Sequence, residues 1–178
     1  MSKSILGFLC LWGNMVINIS KAKKLYGKEF ELKSSFALPP EIMQDFHVAP
    51  LGDVALSGTY YMQDNNTCYI NCNATIFLNA ECARCANLFT FKYTFPVIEK
   101  YTSSPLEDEY QLDNLSINLF NAVTDNFLTS FPSQLLCNKN CKGLCQYCGN
   151  NLNYNNCNCE EKQNIKNSPF AILKQLKK

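Results

Sequence analysis

The chain has 178 residues, 47% of them hydrophobic and 17% charged, which suffices for a packed core and excludes a disordered polymer. Its formal net charge is +1, so no global positive field draws it onto nucleic acid. A single histidine, His47, excludes a His-rich catalytic metal site, and we read it as a surface or packing residue.

Residues 1–14 carry an apolar run, Ile5 to Trp12, too short to span a bilayer and without a small-x-small cleavage site after it. Met15 then opens Met-Val-Ile-Asn-Ile, a reasonable strand. We expect translation to start at Met15 and residues 1–14 to be an N-terminal over-extension. From Met15 to Leu51 the pattern predicts short strands and loops, because Pro39, Pro40 and Pro50 argue against a long helix. Val54 to Met62 is a strand candidate. Residues 68–78 alternate with period two, Cys68, Ile70, Cys72, Ala74, Ile76 and Leu78 on one face. That places Cys68 and Cys72 in the core as small hydrophobes. Phe89, Phe91, Tyr93, Phe95 and Val97 mark the next strand, and the short link between the two runs predicts an antiparallel hairpin with Cys82-Ala83-Arg84-Cys85 at its turn.

Pro105 to Tyr110 reads as an acidic loop. A helix is predicted to start near Asp113, a good N-cap. Leu115, Leu119 and Ala122 form one apolar row and Phe120, Val123, Phe127 and Phe131 the next, ended by Pro132. Beyond it, residues 137–178 hold few large apolar side chains before Phe170, Ile172, Leu173 and Leu176, which suit a short helix. The predicted fold is α+β: an antiparallel β-rich body over residues 15–136 with a helix packed on its sheet, followed by a cysteine-rich segment, 137–178, held by metal.

Eleven cysteines occur, six of them between 137 and 159. Disulfides would need an oxidising compartment, and the odd total and missing export signal speak against them. Catalytic zinc would need an open position and a nearby base, but no His-x-Glu exists. A thioredoxin-like pair wants its CxxC at a helix N-terminus after a strand, whereas strands flank Cys82 and Cys85. Structural zinc wants four ligands from two close pairs. Cys145-Gln146-Tyr147-Cys148-Gly149 has the shape of a zinc knuckle, and Cys157-Asn158-Cys159 supplies a second pair. Binding there is worth about 10–16 kcal/mol, enough to order a segment without a core. Cys82, Cys85, Cys137 and Cys141 remain as two pairs and make a second quartet. Two zinc ions are therefore expected.

The basic residues are lysines except for Arg84, which lies between two of those cysteines. Lys21, Lys23, Lys24, Lys28 and Lys33 at the front and Lys162, Lys166, Lys174, Lys177 and Lys178 at the end read either as solvated surfaces or as a split surface for phosphate. Arg84 either meets phosphate or pairs with Glu81 to steady the hairpin.

Several runs resemble one family. Cys82-Ala83-Arg84-Cys85-Ala86-Asn87-Leu88-Phe89 resembles the C-x-R-C-x-x-x-F element of the YceD family. Residues 136–153, with GLCQYCGNNLN at their end, and Cys157-x-Cys159 resemble its long cysteine-rich signature. Asp113-Asn114-Leu115 matches the acidic-leucine start of its helix, and Ser168-Pro169-Phe170-Ala171-Ile172-Leu173 its closing motif. Ser168 stands where Asp is usual and Gln146 where Pro is common. The likeness spans residues 15–178. It implies a non-catalytic cytoplasmic factor that supports accumulation of 23S rRNA and biogenesis of the large ribosomal subunit. The implied partners are an rRNA precursor or a large-subunit ribosomal protein, with no membrane and no small-molecule substrate. Members lacking one quartet keep the CxRC with a later His/Cys pair, which groups Cys82 and Cys85 with Cys137 and Cys141. On this reading Arg84, Lys139 and Lys142 are the contacts to RNA or partner. The alternative is a zinc-thiolate redox switch, a chaperone-like protein whose tail unfolds when oxidation releases metal.

Overall fold

The structure is a computed structural model and describes residues 15–157 and 159. Two compact units divide the described chain. The first comprises residues 15–80 and 90–133, the second residues 81–89 and those from 134 onward. Cys10, the lysine-rich end and the expected C-terminal helix lie outside the described residues.

The first unit is built on strands. In chain order these are β1 (Val16–Asn18), β2 (Phe30–Phe36), β3 (Val48–Pro50), β4 (Val54–Met62), β5 (Thr67–Glu81), β6 (Leu88–Thr102), β7 (Tyr110–Gln111) and β8 (Ser116–Asn118). A four-residue helix, α1 (Pro40–Met43), lies between β2 and β3, and α2 (Phe120–Ser130) follows β8. Pro40 takes the first helical position, where its missing N–H costs nothing, and after Met43 the chain tightens into a 3-10 turn, Gln44–Phe46, that ends at left-handed His47. The main sheet runs β2-β4-β5-β6-β7, with β3 paired to β5. β2–β4, β3–β5 and β4–β5 are antiparallel. Thr75 hydrogen bonds to Thr94 and Thr90 to Asn79, partners that fall along β5 as they rise along β6, so that hairpin is antiparallel too. β7 joins β6 in parallel over two residues. β1 and β8 form a separate antiparallel ribbon.

Alternation decides which face is buried. Cys68, Ile70, Cys72, Ala74, Ile76 and Leu78 of β5 are all buried, and burial pushes the Cys68 thiol up to about 12 and the Cys72 thiol up to about 11. Phe77, out of phase with that row, is half exposed. The backbones of β4 and β5 approach closely at Gly58, opposite Cys72, where an added Cβ would lie 2.3 Å from the Asn71 carbonyl oxygen. The sheet's inner face meets an aromatic cluster. Phe46, Tyr93, Phe95, Phe127 and Phe131 contact one another with ring centroids 4.8–5.9 Å apart, distances at which edge-to-face and tilted rings attract. The buried hydroxyl of Tyr101 donates to the Asn118 carbonyl at 3.2 Å, tying β6 to β8.

The helix starts later than the sequence predicts. Asp113 caps nothing and Leu115 is 58% exposed. Residues 116–118 are instead extended and pair with 16–18, with Ile117 opposite Ile17. The N–H of Ile19 donates to Leu115 and that of Leu119 to Met15. These pairings satisfy backbone groups that a helix would have satisfied internally, and they bury Ile117 completely, so tertiary pairing overrides the helical spacing of Leu115 and Leu119. The helix begins at Phe120, whose N–H is taken by the Asn118 side chain at 2.9 Å. Within α2 the expected stripe holds: Ala122, Val123 and Phe127 are buried, as is Phe131 just beyond it. Among the described residues, no helix is long and apolar enough to cross a membrane.

Candidate metal centres

The second unit is built from turns. At the link between β5 and β6 the chain makes a knuckle, Cys82-Ala83-Arg84-Cys85. The N–H of Ala86 returns to the Cys82 carbonyl at 2.9 Å, and the N–H of Cys82 reaches the Asn87 carbonyl at 2.9 Å. Cys145-Gln146-Tyr147-Cys148 repeats this closure, with Gly149 N–H on the Cys145 carbonyl at 3.0 Å and Cys145 N–H on the Asn150 carbonyl at 2.8 Å. The residue after each CxxC is left-handed, Ala86 at φ 58 and Gly149 at φ 72.

Each knuckle turns two sulfurs toward another cysteine pair. The sulfurs of Cys82, Cys85, Cys137 and Cys141 all lie within 4.8 Å of one another, and so do those of Cys145, Cys148, Cys157 and Cys159. The Cys82–Cys141 and Cys85–Cys137 sulfurs are 3.8 and 3.7 Å apart. Four thiolates on a tetrahedral ion with bonds of about 2.3 Å are separated by about 3.8 Å, whereas a disulfide needs about 2.05 Å. Every described cysteine is a free thiol. Both quartets could hold a metal ion.

The electrostatics fit a cation as well. Burial pushes the Cys82 thiol up, but main-chain donors from Cys137, Arg84 and Cys85 pull it down to about 6. In the second quartet main-chain donors from Cys148 and Tyr147 hold Cys145 at about 6. Desolvation and the neighbouring sulfurs push Cys137 up to about 12. The Cys148 sulfur and desolvation do the same to Cys159. Asn153 and the Gly143 N–H also pull Cys141 down, so the knuckle donors favour thiolate at Cys82 and Cys145 and a bound cation would offset the crowding that raises Cys137 and Cys159.

The quartets differ in cover. Cys82, Cys85 and Cys141 are buried, with Phe89 and Leu136 packed against them, and Cys137 is the most open of the four. In the other quartet only Cys145 is buried, and Cys148 is exposed.

The three basic residues picked out by the sequence fare differently. Lys139 and Lys142 are exposed. Arg84 is held by the main chain: its Nη1 donates to the Cys141 carbonyl at 3.0 Å, and its own carbonyl accepts the Leu144 N–H at 3.0 Å. Among the described residues the ion pairs are Glu31–Lys33 and Lys100–Glu109, so the Glu81 partnership does not form. Gly143 passes so near that an added Cβ would meet the Arg84 carbonyl oxygen at 3.0 Å, and its φ of +76 already excludes most side chains. Sequence reading overlooked three asparagines here. Asn153 donates to the Cys141 sulfur at 3.3 Å, and Asn151 to Asn87 at 3.3 Å. The sequence signal for Asn151 and Asn153 is the asparagine-rich run directly after the second knuckle, and Asn87 stands two residues after Cys85 of the first.

The chain thus joins a β-rich unit to a unit whose two four-cysteine clusters could each hold a metal ion. The chain belongs to the YceD family: the model of the family described as large ribosomal RNA subunit accumulation protein YceD matches residues 70–177. That match begins within β5 and takes in both quartets. No curated protein and no solved structure matches the chain.

Proposed function

We propose that the chain is a non-catalytic factor that binds two zinc ions and supports accumulation of 23S rRNA during biogenesis of the large ribosomal subunit in the cytoplasm. The observation that carries this reading is the pair of closed sulfur quartets on a chain whose family is described by large-subunit rRNA accumulation. Cys82, Cys85, Cys137 and Cys141 would hold one ion, and Cys145, Cys148, Cys157 and Cys159 the other. Four thiolates close the tetrahedron and leave no position for a reactive water, so the metal supplies cross-linking rather than chemistry. The partner is an rRNA precursor or a large-subunit ribosomal protein. Lys139 and Lys142 offer exposed charge to phosphate, and Arg84 buttresses the loop that presents them.

Two measurements test it together. Elemental analysis of the native protein should find close to two zinc ions per chain. Crosslinking to RNA in cells, followed by sequencing of bound fragments, should enrich 23S precursor. Enrichment no greater than background, in cells whose rRNA still depends on the protein, moves the contact to a protein partner.

A further inference from the structure

The loop after the second knuckle, residues 150–153, reaches back to the first quartet. It leaves the second quartet directly: the Asn150 carbonyl accepts the Cys145 N–H at 2.8 Å, and Asn151 bridges to Leu144. The Leu152 N–H then takes the Gly143 carbonyl at 2.9 Å. Three residues beyond Asn150, the side chain of Asn153 has three partners. Its Oδ1 accepts the Lys142 N–H at 2.8 Å, and its Nδ2 donates to the Asn151 Oδ1 at 2.8 Å and to the Cys141 sulfur at 3.3 Å. A main-chain N–H can only donate, so the bond from Lys142 fixes the oxygen there and turns the amide NH2 toward the sulfur. Asn151 in turn donates to the Asn87 Oδ1, and Asn87 donates to the Tyr154 hydroxyl at 2.9 Å. A continuous line of side-chain hydrogen bonds thus runs from the first knuckle, through the loop of the second, to a sulfur of the first quartet.

Resting on the reading of both quartets as zinc sites, we propose that Asn153 is a positioning residue for the first ion, delivered by the loop of the second, so that the two sites are coupled. An N–H donor to a metal-bound thiolate spreads its charge and fixes its direction, and partners of this kind commonly control metal retention 10–100-fold. The loop keeps its shape only while the second knuckle is closed. Metal at Cys145, Cys148, Cys157 and Cys159 therefore completes the surroundings of Cys141, and emptying that site loosens the other. The dependence is lopsided, because among the described residues the side chain that crosses to a sulfur of the other quartet is this asparagine.

The test is zinc release to a chromophoric chelator from the full chain, comparing wild type, Asn153→Ala, Asn153→Asp and a Cys157→Ser/Cys159→Ser double variant. The wild type should release two ions; one ion or none overturns the two-zinc reading itself, independently of the coupling. With two ions present, Asn153→Ala should speed loss of one ion about tenfold and leave the other within about twofold. Asn153→Asp should be worse, since it keeps the acceptor for Lys142 but points an anion at the thiolate. The double variant should lose its one remaining ion faster than either wild-type ion. Unchanged rates in the asparagine variants overturn the positioning role, and an unchanged first ion in the double variant overturns the coupling. Should a variant fail to fold, the wild type loaded with a spin-active cadmium isotope still decides the matter. Its Asn153 side-chain amide should show scalar coupling to one metal signal, and absence of that coupling overturns the contact.

Discussion

Ala86 and Gly149 occupy the same place in two copies of one turn. Each follows the second cysteine of a CxxC, each has a left-handed backbone, and each returns its N–H to the first cysteine's carbonyl, at 2.9 and 3.0 Å. Only one of them is glycine. A Cβ in this region costs about 1–2 kcal/mol, partly offset by the smaller entropy of the unfolded alanine chain. Ala86→Gly should therefore stabilise the protein by about 0.5–1 kcal/mol. Gly149→Ala should destabilise by about 1 kcal/mol and no more, since nothing lies within 4 Å of the added carbon. Chemical unfolding of the zinc-loaded variants checks both signs.

Proton counting gives a second prediction. Cys82 and Cys145 are held down to about 6, against an ordinary thiol value of about 8.5. A group depressed on folding contributes stability that is complete above the ordinary value and lost as pH falls through the folded value. The metal-free second unit should thus weaken as pH falls through about 6. Zinc loading should displace fewer protons per quartet at pH near 7 than at pH near 5, because Cys82 and Cys145 have already ionised at the higher pH. Calorimetry in buffers of different ionisation heat measures the difference. In the first unit the sign reverses. Burial raises Cys68 and Cys72 to about 12 and about 11, so between about 8.5 and 11 the unfolded chain releases protons that the native one retains. Stability falls with rising pH there, and Cys68→Val should flatten that limb.

Much of this architecture was legible, and the reasons differ by element. The period of two over residues 68–78 places both Cys68 and Cys72 inside, because alternation is a local property and the strand obeys it residue by residue. Spacing groups Cys145, Cys148, Cys157 and Cys159, and the remaining pairs together with the family resemblance group Cys82, Cys85, Cys137 and Cys141, the same two sets whose sulfurs converge. The helix start was not legible. Leu115, Leu119 and Ala122 have helical spacing, but Ile117 and Ile17 pair across about a hundred residues of intervening chain, and nothing local announces such a partner. The asparagines were invisible for another reason. Asn87, Asn151 and Asn153 read as polar turn residues, and only three-dimensional closure shows where their amides point.

The corrected helix start makes a direct prediction. Helical periodicity treats Leu115 and Leu119 as equals, whereas Leu119 is fully buried and Leu115 is 58% exposed. Leu119→Ala should cost about 2–5 kcal/mol, within the range for emptying a packed leucine site. Leu115→Ala should stay within about 0.5 kcal/mol of wild type. Equal losses would restore the earlier helix. Phe127→Ala, at the centre of the aromatic cluster, should cost about 3–5 kcal/mol and serves as the upper reference.

The basic residues of the second unit separate by the same logic. Arg84 spends its guanidinium on the Cys141 carbonyl, and that carbonyl belongs to a residue whose sulfur lies in the first quartet. Arg84→Lys removes the planar fork but keeps the charge. It should shorten retention of one zinc ion while leaving the salt dependence of RNA binding nearly unchanged. Lys139 and Lys142 are exposed, and their substitution by alanine should leave zinc content and unfolding within about 0.5 kcal/mol. If they neutralise phosphates, each removed lysine lowers the slope of log affinity against log salt by about 0.7 on single-stranded RNA, so the double variant should lose about 1.4 with affinity reduced across sequences alike. Titration of an rRNA fragment at several salt concentrations gives the slope. A slope unchanged in Lys139→Ala/Lys142→Ala and reduced in Arg84→Lys would reverse the assignment, making Arg84 the phosphate contact and its bond to Cys141 a resting position.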